Sequence, residues 1–135
     1  CALASVDAAN AATQSIAGDW FEDETYAGKR VMALAHFRAD GSFTVEFREC
    51  VKPQTTDHVD TGHYTYDGSR LRMTTETQNG FWTMNIDDYL TSKNDGHMWV
   101  YKSVAGPGFR DFGQVTFHDV RVTPTSKMPE CDLSS

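Results

Sequence analysis

Five histidines and three cysteines are the residues of this chain best suited to metal or nucleophilic chemistry. His58 and His63 stand five apart across a loop-to-strand junction, whereas His36, His97 and His118 fall on three different candidate strands. A closed sheet could gather three of them around a metal ion, since imidazole is a common zinc ligand. Their strand faces are not fixed by the sequence, however, and hydrogen-bonded or exposed histidines are the plainer expectation. No metal ligand is assigned. The chain also lacks Gly-x-Ser-x-Gly, His-Glu-x-x-His and any Gly-rich loop able to cradle a phosphate. No catalytic residue and no cofactor is assigned either.

The cysteines, Cys1, Cys50 and Cys131, do not have the C-x2-C spacing of a zinc site, and their odd number leaves one over if two are bridged. The favoured pairing is Cys50 with Cys131, which closes a loop worth about 4.5 kcal/mol in the chain-entropy model. Three reduced thiols remain the alternative.

Aromatic residues are the better functional clue: 8 Phe, 5 Tyr and 3 Trp. In "GSFTVEFRE", Phe43, Val45 and Phe47 alternate with polar residues, and Leu71 and Met73 do so in "SRLRMTT". With Trp99, Tyr101 and Phe117 they form the candidate ligand-binding set, an apolar lining with Tyr64 or His63 as the polar group that orients a ligand. The surest of these lining residues are uncharged, so the expected ligand is neutral and largely apolar, because a bare ion would lose its hydration there. A core filled completely by the same side chains is the alternative. Lys+Arg total 12 against 19 Asp+Glu, a net charge of −7. That balance excludes a nucleic-acid partner, whose phosphates are held by clustered cations.

These residues must be positioned by strands. From Gly18 onward the pattern has period two, punctuated by Asp40-Gly41, Asp67-Gly68, Asn79-Gly80 and Asp95-Gly96, dipeptides suited to tight hairpins. Strands are predicted at 18–25, 30–38, 42–50, 59–66, 70–77, 81–87, 97–103 and 114–122. Bulky side chains on both faces leave the inward set open in 31–37, 81–86 and 97–102. Residues 6–16 are Ala-rich and could form a short helix. The fold class is all-β: an antiparallel up-and-down barrel of about eight strands, which removes exposed sheet edges. A barrel of that size either fills with side chains or holds one small ligand. The domain spans 16–123, preceded by a tether (1–15) and followed by a tail (124–135). Within 103–113, "SVAGPGFRDFG", Phe109, Arg110 and Phe112 are candidates to contact a partner or gate a cup.

Gly18-Asp19-Trp20 on the first strand, the hairpin-linked strands, and Arg121 in "VTFHDVRVTP" on the last resemble the lipocalin-like (calycin) domains, in their compact bacterial form. The resemblance implies that Trp20 closes one end of the barrel and that Arg121 lies on its indole, a cation–π contact worth about 0.5–2 kcal/mol. It also lends support to a cysteine linking the tail back to the barrel. The start of the chain, Cys1 followed by "ALASVDAANAATQS", resembles a bacterial lipoprotein with an acylated cysteine and a flexible tether. Ala9-Asn10-Ala11 read as a signal cleavage site is a rival, and a chance start at Cys1 a third reading. The first two place the domain outside the cytoplasm, with Cys1 a possible membrane tether. The expected function is noncatalytic binding of a small hydrophobic or amphipathic molecule inside the barrel. Alternatives are a protein-binding or inhibitor module working through barrel-end loops, and an enzyme built in the cup.

Overall fold

The structure is a computed structural model and describes residues 15–132. Cys1 and the Ala-rich 6–14 segment lie outside the described residues. In the Asn79-Gly80 turn both residues have positive φ, 52° and 82°, which is the twist a two-residue hairpin needs. A second hairpin of this kind was not signalled by an Asn-Gly or Asp-Gly dipeptide: Ala27 accepts a φ of 53° ahead of Gly28.

The turns join β1 (Gly18–Tyr26), β2 (Lys29–Phe37), β3 (Ser42–Val51), β4 (Gln54–Tyr66), β5 (Arg70–Gln78), β6 (Phe81–Asn94), β7 (Met98–Ala105) and β8 (Thr116–Val122). Each strand pairs with the next, and β8 returns to β1, so the sheet is a closed barrel of eight antiparallel strands. Between β7 and β8 lies one short helix, α1 (Pro107–Phe112), where an irregular connection was expected. No helix among the described residues is long and apolar enough to cross a membrane.

Two strands run far beyond their predicted bounds. β4 begins at Gln54 rather than 59, because Val51↔Gln54 and its neighbours continue the β3–β4 ladder through a polar stretch with no apolar alternation to reveal it. β6 runs to Asn94 rather than 87, and register shifts at Asp88/Tyr89 and Thr91/Lys93 explain why it was missed. Each bulge switches the inward parity, so one strand reads in sequence as a strand followed by a loop.

The core packs at one end of the barrel: Trp20, Trp99, Phe43, Leu71 and Ile16 are all essentially buried. β2 is buried on both faces, Ala33, Ala35 and Phe37 toward the core and Met32 and Leu34 on the outer side. The C-terminal tail passes that side. Arg48, the register partner of Met32, donates to Pro129 O at 3.0 Å, and Cys131 is disulfide-bonded to Cys50.

Candidate functional site

The closed end is built around Trp20. Its indole N–H donates to Ile16 O at 2.9 Å, its ring meets Trp99 edge-on at 5.4 Å, and the Arg121 guanidinium carbon lies 4.2 Å from the ring centroid. Arg121 is pinned in turn by donating to Ala17 O (2.7 Å) and Gly96 O (2.8 Å). Gly18 has a φ of 132°, and a Cβ there would collide with the Arg121 guanidinium. The Gly-x-Trp spacing therefore has a local reason: the glycine leaves room for the arginine that covers the tryptophan two residues later. Register supplies the rest, since Trp20 and Arg121 are direct partners across the closing β1–β8 seam.

Above this floor lies a cavity of about 380 Å³, opening toward the end that carries the β1–β2 and β5–β6 turns and α1. Of the candidate lining residues, Phe43, Val45, Phe47, Met73, Tyr101 and Phe117 line it. Leu71 and Trp99 do not, and the expectation is corrected for both: they are fully buried in the packed floor, where Trp99 donates its N–H to Thr91 Oγ1 at 3.0 Å. Tyr101, Tyr89 and Phe117 form a ring cluster with centroids 5.3–5.4 Å apart along its two Tyr101 contacts. At the mouth, Tyr26 meets Phe112 of α1 edge-on at 5.4 Å.

The expected polar groups are elsewhere. Tyr64 packs on Phe37 and donates its hydroxyl to Arg38 O at 2.6 Å, near the closed end, and His63 is exposed beside Glu76, 2.6 Å away. The other histidines are similarly dispersed: His36 against Asp19, His58 stacked on Phe47, His118 against Glu24. No group of three potential metal ligands occurs among the described residues. In the 103–113 connection, Phe112 lines the cavity, whereas Phe109 and Arg110 do not and are exposed. α1 is tied to the wall where the Gly108 N–H donates to Asp87 Oδ1 at 3.0 Å.

The lining is also charged, contrary to the sequence expectation: Glu22, Asp60, Asp87 and Asp111 all face the cavity. Glu22 and Asp119 are register partners across the β1–β8 seam, both almost wholly buried, and the Tyr101 hydroxyl lies 2.8 Å from Glu22 Oε1 and 3.1 Å from Asp119 Oδ2. Burial raises the pKa of Glu22, and burial followed by the nearby Glu22 charge raises that of Asp119 well above the usual carboxylate range. Burial likewise raises Asp60 and Asp87, and pushes Tyr26 up to about 12. The signal for the buried acid pair was present in the sequence. Glu22 shares parity with Trp20, and Asp119 with Phe117 and Arg121, so an inward Trp20 and Arg121 already direct both carboxyls into the barrel.

Comparison with protein-family models, curated proteins and solved structures gave no match to this chain.

Proposed function

We propose that the protein is an extracytoplasmic, lipocalin-like binding domain that holds a small hydrophobic or amphipathic molecule inside its barrel without converting it. The cavity carries this reading: its 380 Å³ falls within the roughly 300–1,000 Å³ of small-molecule sites, and its walls are mainly aromatic and aliphatic, with polar and acidic groups set among them. A barrel filled by its own side chains would leave no such space. Trp20 beneath Arg121 supports the family reading, and the Cys50–Cys131 bond is consistent with an oxidising compartment.

The test is titration with an environment-sensitive apolar dye, competed by lipids and small aromatics, on the wild type and on Phe47→Asp. Phe47 lines the cavity and stacks on His58 at 4.6 Å, so a carboxylate in its place is expected to weaken uptake at least about tenfold. Dye uptake unchanged by that substitution places the site outside the barrel.

A second reading, docking of a protein at the barrel end, is favoured by one observation. The β5–β6 hairpin presents Phe81 and Trp82, 79% and 72% exposed, with Met84 and Ile86 following along the same strand. Exposed apolar clusters of this kind mark interaction surfaces.

A further inference from the structure

The distribution of charge partners separates the outer wall of this barrel from its cavity. On the outside, carboxylates are matched by arginine: Asp23 by Arg30, Asp57 by Arg48 and Asp88 by Arg72, each through two hydrogen bonds. Inside, Glu22 comes from β1, Asp60 from β4, Asp87 from β6 and Asp111 from α1, while the lining contains no Lys, Arg or His. Asp111 meets Arg110 at the rim. One oxygen of Asp60 is buried without a hydrogen bond, its nearest cation-capable neighbour being His58 Nε2 at 3.9 Å. A concavity of one charge sign with apolar walls focuses its field on whatever enters.

The deepest of these acids is also the most constrained. Glu22 and Asp119 lie directly opposite each other, an arrangement that destabilises an antiparallel pair when both are charged. Tyr101 has a single hydroxyl proton and approaches both carboxyls, so it can donate to only one of them. The other contact uses a carboxyl proton. The trio thus requires at least one acid proton on Glu22 or Asp119, and Asp119 Oδ1 is still left without a hydrogen bond. Around Glu22 stand Glu24 and Tyr26 on its own strand, Asp119 and His118 on β8, Tyr101 on β7 and Tyr89 on β6. Three of these are phenol rings, whose faces attract a cation.

From this geometry we infer that the cup selects a cationic amphiphile, a protonated amine seated against Glu22 with its apolar or aromatic body between Phe43, Phe47, Met73 and Phe117. The inference rests on the reading that the cavity binds a small molecule, and adds the charge of that molecule. The bound ammonium donates N–H bonds to Glu22, the member of the pair that lines the cavity, and its positive charge stands in for that of the shared proton. That proton leaves to solvent, so the half-protonated pair plus the ammonium becomes two carboxylates, the ammonium and one released proton. Binding of the amine therefore strengthens as pH rises toward neutrality and beyond, until the amine itself deprotonates.

Three ligands of one shape separate the possibilities: phenylbutylamine, phenylbutanol and phenylbutyrate, titrated calorimetrically into the full chain. The amine is expected to bind at least about tenfold more tightly than the alcohol, and the carboxylate most weakly. Repeating the amine titration in two buffers of different ionisation heat is expected to show proton release, absent for the alcohol. Glu22→Gln is expected to bring the amine-to-alcohol ratio close to one; should that variant not fold, the proton release of the wild type decides. An alcohol or carboxylate that equals the amine, or an amine that binds without releasing a proton, overturns the inference while leaving the cup as a binding site. Failure of all three ligands together with the apolar dye overturns both.

Discussion

Replacing Trp20 with alanine tests the closed end of the barrel on which everything above it rests. The indole is fully buried between Trp99 and Arg121, and its N–H satisfies the carbonyl of Ile16, itself 1% exposed. Truncation removes the packing, opens a cavity and leaves that carbonyl unpaired, which together cost about 3–5 kcal/mol. For a chain of this size each kcal/mol lowers Tm by about 3–5 °C, so the expected drop is about 10–25 °C. The cation–π part is isolated by a double-mutant cycle with Arg121→Met, whose coupling energy is expected at about 0.5–2 kcal/mol. The single Arg121→Met change also orphans two carbonyl acceptors, Ala17 O and Gly96 O, so the cycle rather than the single variant is informative. Thermal unfolding gives the Tm values, and urea denaturation followed by circular dichroism gives the free energies of all four proteins. A Trp20→Ala Tm within about 3 °C of wild type, or strict additivity of the two substitutions, would refute the account of Trp20 as a floor held by Arg121.

Other outcomes follow from the same geometry. Because Glu22 and Asp119 have raised folded-state pKa values, the stability their protonation supports is fully present below the ordinary carboxylate pKa of about 4 and is lost as pH climbs through the raised values. Asp119→Asn is expected to flatten that decline and to raise stability near neutral pH by on the order of 1 kcal/mol, measured by urea denaturation across pH; a steeper decline would contradict the paired-acid reading. Cys131→Ser, or reduction of the wild type, is expected to cost about 2–4 kcal/mol, since the bond closes a long loop and holds the tail beside Arg48. Free thiol at both Cys50 and Cys131 in peptides mapped without reductant would remove the basis for that expectation.

The parts of this protein legible in the sequence are those governed by neighbours along the chain. Alternation in 43–47 and 71–73 identified the inward faces of β3 and the start of β5, and Gly-containing dipeptides marked four of the turns, because side-chain parity and positive φ are properties of a few consecutive residues. Resemblance carried Trp20 and Arg121, and parity carried Phe117 on β8. Leu71 was correctly read as inward, whereas the face of Trp99 was left open by the bulky residues around it, and for both the depth along the barrel, which decides between floor and lining, depends on where each strand is staggered against the others. The bulges in β6 erased its alternation, so its second half was hidden from any rule based on period two. The acid pair was half legible, since parity with Trp20 and Arg121 already turns Glu22 and Asp119 inward, but their proximity to each other was hidden. Each acid read alone looks like a solvated residue, and only closure of β8 onto β1 sets Glu22 beside Asp119 and brings Tyr101, 79 positions away, within hydrogen-bond distance of both. Local sequence determined that strands would form and which way many side chains would point. Ring closure decided which of those side chains share a low-dielectric space, where proximity and desolvation rather than residue type set their chemistry.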